Sequence, residues 1–377
     1  MSEVPSAPSR TFTLRDLFVA VAAVAILMAL GITYLNYQRQ KRLVNGQSGC
    51  RNQMKQLTLA LQNHNDAFKR FPPLFTSNNT ATKANPPLNP TDAAGSYSWQ
   101  TKILPFIEED TLFKSISAKS TKFTQPSEQV QIPLSGNKVG SPGEIRIEQF
   151  LCHGFPGDTA DGLSNYVALS ATRLPLLTET EHGRLNPNDD KNPAAYGTKF
   201  KLPPDGLIVP DRGMRGSSMA RMLDGPSYTA VLIESREEQR SNWYDPRQSF
   251  VVGFVPGDST AIDAAASSYY PYYDPVDPPA DALARTTPRK WCFNPAAGNR
   301  TALNFGPQNS ASKDAYHGIA GDPLERTWGP SSAHLNGAIV VGMGDGSVRE
   351  IKADIDPEIF FSAITVRGGE NSPELPR

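Results

Sequence analysis

The sequence predicts an α+β fold in which one long amino-terminal helix carries a mainly antiparallel head with long loops. Three observations lead there. Residues 17–35 (LFVAVAAVAILMALGITYL) contain no charge, and at about 1.5 Å per residue a helix of that length spans roughly 28 Å, close to the hydrocarbon thickness of a bilayer. Further on, Cys50, Met54, Leu57, Leu61, His64 and Phe68 recur at alternating steps of four and three, which places them on one stripe of an amphipathic helix. Beyond it, short β-prone runs lie between turn signals and close on a hairpin around Asp345-Gly346.

Residues 1–12 form a polar leader and 13–37 the membrane-spanning helix. The amphipathic helix follows over 38–72 and the head over 73–377. A cleaved secretory signal is the rival reading of 17–35, but no small-x-small site follows it, and Tyr34 and Tyr37 are placed as interfacial anchors. QRQKR at 38–42 makes a basic collar. Span and stripe join into one helix over about residues 13–70, with a kink expected near Gly46 and Gly49 and a stop at Phe71-Pro72-Pro73.

In the head, 74–95 reads as a loop and 98–116 (SWQTKILPFIEEDTLFKSI) as a helix with Trp99, Ile103, Ile107 and Leu112 on its apolar side. IRIEQFLC (145–152), NYVALSA (165–171), YTAVLIES (228–235) and SFVVGFV (249–255) read as strands. Residues 267–290 are a Pro/Tyr-rich surface insertion. GAIVVGM and VREIKA flank GDGS as a hairpin, and Asp356-Pro357-Glu358 starts a short last helix.

The 377 residues suffice for one large or two modest domains outside the membrane. A formal net charge of −1 gives no reason to invoke nucleic acid. Proline, at 33 residues, points to a loop-rich soluble part. Cys50, Cys152 and Cys292 are too widely spaced for a zinc pattern, and in an extracytoplasmic compartment two of them can pair.

The architecture is pilin-like. TFTLRDLFVAVAAVAIL (11–27) resembles a prepilin-type start. CRNQMKQLTLALQNHNDAFKRFPP (50–73) resembles a block of the large planctomycete family known as domain of unknown function 1559. SWQTKILPFIEEDTLF, FLC and NYVALS follow in that family's order, then RMLDGPSYTAVLIES (221–235) and SSAHLNGAIVVGMGDGSVREI (331–351). The resemblance implies a membrane-anchored, pseudopilin-like subunit that packs its helix against like subunits and exposes its head to the envelope. His334, Asp345 and Gly346 carry the family signature. Two departures stand out. Thr11 occupies the place of the glycine that prepilin peptidase needs before Phe12, and ten residues separate His334 from Asp345 where the family usually has nine. The extra residue calls for a bulge, expected at Gly342 or Gly344.

Thr11-Phe12 is the possible processing site. Asp16 is the assembly candidate, since pilins carry there an acid paired by a neighbour's terminal ammonium. The alternative is an interfacial Asp favoured by the helix amino terminus. Cys50 and Cys152 are the disulfide candidates. Asp158, Asp161 and Asn165 are weak calcium candidates without EF-hand spacing. His334 with Asp345 invites acid/base or metal chemistry, but hairpin geometry and packing explain both residues equally, and His64 reads as core. Ser310 and Lys313 match S-x-x-K without partner motifs, and H-E-x-x-H, G-x-S-x-G and a P-loop are absent. No catalytic residue, cofactor or resident metal is expected.

The function expected is therefore non-enzymatic: a pilin- or pseudopilin-like structural or interaction protein, single-pass in the cytoplasmic membrane. The alternative is a monomeric anchored module for a glycan or calcium. Orientation is contested within the sequence. Arg39, Lys41 and Arg42 after the span outnumber Arg10 and Arg15 before it, which weakly favours a cytoplasmic head, whereas the pilin resemblance places the head outside.

Overall fold

The computed structural model describes residues 46–76, 95–120, 123, 125–134, 136, 138–153, 162–172, 177, 206–210, 217–235, 242–253, 303, 329–332, 334, 337–366 and 375, together with 28 and 31. Thr11, Phe12, Asp16, most of the 17–35 run, Asp158, Asp161, the 267–290 insertion, Cys292, Ser310 and Lys313 lie outside them. Among the described residues no helix is long and apolar enough to cross a membrane.

Helix α1 covers residues 46–68. Its stripe is buried through Cys50, Met54, Leu57, Leu61 and His64. Phe68 departs from the expectation: it is 63% exposed and lies against the His64 ring at 4.7 Å, because the helix is already ending there. Lys69, at φ 59°, takes the left-handed conformation that ends a helix, so the stop falls before the Phe71-Pro72-Pro73 signal.

The core of the head is a five-stranded sheet in the order β7-β5-β6-β8-β9. β5 is Tyr166–Ala171, β6 Ala230–Glu234, β7 Phe250–Val252, β8 Ile339–Met343 and β9 Val348–Ile351. All neighbours are antiparallel except β5 and β7, which run parallel. Two further antiparallel pairs form, β1 (Phe75–Thr76) with β2 (Tyr97–Ser98) and β3 (Ile132–Pro133) with β4 (Val139–Gly140).

Strand alternation gives the sheet two apolar faces. Tyr166, Ala168, Leu232 and Val340 join the α1 stripe in one cluster. Val167, Leu169, Ile233, Ile339, Val341 and Ile351 face the other way and pack against Phe360 and Ile364 of α4, Pro357–Ile364. At Gly342 the helix lies so near the sheet that a Cβ there would stand 3.0 Å from Met54 Sδ and closer still to Thr58 Cγ2. Thr58 Oγ1 donates to Gly346 O at 3.2 Å and Gln62 Nε2 to Gly344 O, so α1 is also sewn to the β8–β9 turn.

Three local expectations are corrected. The helix over 98–116 is broken: α2 (Trp99–Ile103) gives way to a 3-10 turn at Leu104–Phe106, and α3 restarts at Asp110–Lys119. Pro105 removes a backbone donor and crowds the preceding turn, and Glu108 sits at φ 67°. Residues 145–152 are not a strand but hold a 3-10 turn at Glu148–Phe150, closed by Phe150 N on Ile147 O and Leu151 N on Glu148 O. The bulge expected in β8 lies in β6 instead: Ala230 and Leu232 oppose the adjacent Met343 and Gly342, so the extra residue is on β6. Hairpin β8–β9 itself is regular from Ile339↔Ile351 to Gly342↔Val348. Its turn closes through Gly346 N on Met343 O and Met343 N on Ser347 O, with Gly346 at φ 84°, the left-handed position of a three-residue hairpin loop.

Candidate functional site

Sequence blocks far apart in the chain meet beside the first third of α1. β6 ends in Glu234, a carboxylate closing an otherwise apolar strand, AVLIE. Extending the β6–β8 register one step beyond Ile233↔Val341 places Glu234 opposite Val340. There its Oε2 accepts the Val340 N–H at 2.8 Å, so a side chain takes over from the backbone ladder. Its backbone carbonyl accepts Ser331 N–H at 2.9 Å, which brings in the segment carrying His334. Ser332 Oγ accepts the His334 N–H at 3.0 Å and aims the ring inward.

His334 Nε2 then lies 3.1 Å from Glu234 Oε1, and the two side chains are only 2% and 3% exposed. His334 Nδ1 has no hydrogen-bond partner among the described residues. Burial pushes the Glu234 pKa up, partly offset by the hydrogen bond and charge of His334. Burial works to lower the His334 pKa, but the hydrogen bond and charge of Glu234 outweigh it and the net direction is upward. We place the proton on Nε2, donated to the carboxylate, because that nitrogen alone has an acceptor to serve. At these exposures the pair offers no face on which a substrate can sit.

Directly beside the pair is the Cys50–Cys152 disulfide, Cα–Cα 4.8 Å, which ties α1 to the head across 102 residues of chain. Cys152 Sγ is 3.9 Å from His334 Nε2. The sulfurs, the imidazole and the carboxylate all lie within 4.8 Å of one another. Asn165 and Tyr166 seal the site. Asn165 Oδ1 accepts Cys152 N–H at 2.9 Å and Nδ2 donates to Ser235 O at 3.2 Å. Tyr166 Oη is 3.1 Å both from Cys50 O and from Gln53 Oε1.

His334 and Asp345 are not brought together. β8 stands between them, five residues at about 3.4 Å each. Asp345 belongs to the turn, where its Oδ1 accepts Ser347 N–H at 2.8 Å. Burial works to raise its pKa, but hydrogen bonds from Ser347 and Ser227 and the charge of Arg349 hold it below the usual range. His64 Nδ1 bonds Arg70 O at 2.8 Å within an aromatic cluster with Phe68 and Phe106, and burial lowers its pKa. Of the calcium candidates only Asn165 is described, and both ends of its carboxamide are already engaged.

Sequence reasoning missed Glu234 and Tyr166. The available signal was a lone carboxylate at the end of an apolar strand, a residue type that is not buried without a partner. It also missed Lys102, half-buried with Nζ 3.2 Å above the Phe123 ring centroid, where burial lowers the amine pKa to about 7.

These features define an α+β head whose sheet is clasped to an amino-terminal helix by a disulfide and a buried carboxylate–imidazole pair. The chain belongs to the family described as protein of unknown function DUF1559, whose model matches residues 47–358. That match begins downstream of residues 11–27. Comparison with curated proteins gives no match, and comparison with solved structures gives none either.

Proposed function

We propose that this protein is a non-enzymatic, pilin- or pseudopilin-like structural or interaction subunit, anchored by residues 17–35 in the cytoplasmic membrane with its head on the extracytoplasmic side. The observation that carries the reading is the Cys50–Cys152 disulfide. Structural disulfides persist in oxidising compartments, which tips the contested orientation outward against a charge difference of one. The position of the bond also fits. It clamps the head to α1 at Cys50, a short distance downstream of the uncharged run, so a pull on the anchor reaches the sheet through a covalent link.

An enclosed Glu234–His334 pair and an Asn165 committed to backbone groups support a scaffold over an enzyme or a calcium-binding module. The protein–protein contacts of such a subunit would be made by the amino-terminal helix, with Asp16 as the register-setting acid.

The test is intact mass and amino-terminal sequence of the protein purified unreduced from its native membrane after an alkaline wash. A chain held by the membrane, two hydrogen atoms lighter than the thiol form and beginning at Phe12, is the expected result. A chain that keeps residues 1–11 makes the anchor permanent and removes the assembly role. Release by the alkaline wash, or free thiols at Cys50 and Cys152, overturns the anchored, extracytoplasmic reading.

A further inference from the structure

We propose that the reduced chain binds one zinc ion through Cys50, Cys152, Glu234 and His334, so that disulfide and metal are alternative fastenings of the same helix to the same sheet. The inference does not depend on the anchor or on assembly.

Four side chains of types that ligate zinc converge here from four separate segments: α1, the turn after Phe150, the end of β6 and the loop before β8. Tetrahedral zinc, with bonds of about 2.0 to 2.3 Å to nitrogen, oxygen and sulfur, needs ligand atoms about 3.3 to 3.8 Å apart. His334 Nε2 and Glu234 Oε1 are 3.1 Å apart, Nε2 and Cys152 Sγ 3.9 Å, and the whole set fits within 4.8 Å. The sulfur–sulfur bond is far shorter than that polyhedron allows; reduction removes it and frees both sulfurs to adjust to the metal. Supporting contacts are in place, since Glu234 Oε2 holds the Val340 N–H and Asn165 orients the Cys152 backbone. With zinc bound the site carries the net charge of a Cys3His centre, one negative.

Entry is through Cys152, the less buried sulfur, since Cys50 is 0% exposed. A dithiol reductant attacks Cys152 Sγ as thiolate, breaks the bond to Cys50 and releases Cys50 as thiolate, which takes up a proton. The reductant's second thiol resolves the mixed disulfide, leaving two cysteine thiols and the oxidised cyclic reductant. Zinc then displaces both thiol protons, and the His334 Nε2 proton moves to Nδ1 so that Nε2 ligates as a neutral imidazole.

The experiment titrates cobalt, a spectroscopic stand-in for zinc, into full-length protein in detergent after dithiol reduction and anaerobic desalting. The reduced chain should take up one equivalent, with thiolate-to-cobalt charge-transfer and tetrahedral d–d bands that zinc abolishes. The oxidised chain should show none. Glu234→Gln should weaken binding by at least the tenfold that follows loss of even an outer-shell partner. A reduced chain that keeps its native circular dichroism without thiolate bands overturns the proposal, as do bands unchanged in Cys50→Ser. If reduction unfolds the head, cobalt must restore the native spectrum, and failure to do so also overturns it.

Discussion

At the scale of single residues, the site turns on partners that cannot be removed one at a time. His334→Ala leaves the Glu234 carboxylate buried without its imidazole, and breaking a buried pair from one side costs about 3–5 kcal/mol. Replacing both with leucine substitutes apolar volume for two desolvated polar groups and should cost less than either single change. Urea midpoints of His334→Ala, Glu234→Ala and the double leucine variant check this, and a double variant that loses the sum of the two would mean that the side chains do not act as a pair. Lys102 makes a separate, pH-dependent prediction. Its folded pKa of about 7 lies below the unfolded value of about 10.4, so between them the unfolded chain binds more protons and stability rises with pH. Below about pH 7 the full penalty of enclosing the charge remains. Lys102→Met should therefore raise the urea midpoint most at or below neutral pH, with the gain fading toward pH 10. A gain independent of pH would trace it to packing. Neither contact was readable in the sequence, because Glu234 and His334 are 100 residues apart and Lys102 looks like any lysine on a helix.

At the scale of elements, legibility follows the range of the information. The α1 stripe, the β8–β9 hairpin and the start of α4 declare themselves in a few adjacent residues, as spacing, Asp-Gly and Asp-Pro. Residues 145–152 alternate as a strand does, but alternation cannot say whether a neighbour offers a free edge, and there the chain turns on itself instead. Phe68 continues the stripe in sequence while Lys69 has already ended the helix in space. In the sequence Gly342 reads as a place for a bulge in β8; in the fold the extra residue is on the facing strand β6, and Gly342 is where α1 touches the sheet. Gly342→Ala should cost about 1–3 kcal/mol by overpacking, because the new methyl meets Thr58 Cγ2 and Met54 Sδ. Thr58→Ser removes that Cγ2 but keeps the hydroxyl donated to Gly346, so the double variant should recover much of the loss. No recovery would mean that Met54 or the backbone sets the limit.

At the scale of the whole molecule, the question is how much of the helix's hold on the head is covalent. Packing is extensive, since the α1 stripe shares one apolar cluster with the sheet, and polar links at Gln47–Glu350, Gln53–Glu148 and Thr58–Gly346 run along its length. These contacts exist only once the head is folded. The disulfide acts on the unfolded chain as well, closing a loop of about 100 residues, for which the chain-entropy treatment gives about 4–5 kcal/mol. Reducing the full-length protein in detergent, with a chelator present to withhold metal, should lower its unfolding free energy by that order. Amide exchange should rise first in residues 46–68, nearest the lost bond, before it spreads to β5 and β6. Equal urea midpoints for oxidised and reduced protein would assign the hold to packing alone. A loss confined to the helix would make the disulfide a local clasp. A loss across the sheet would mean that helix and head fold as one cooperative unit.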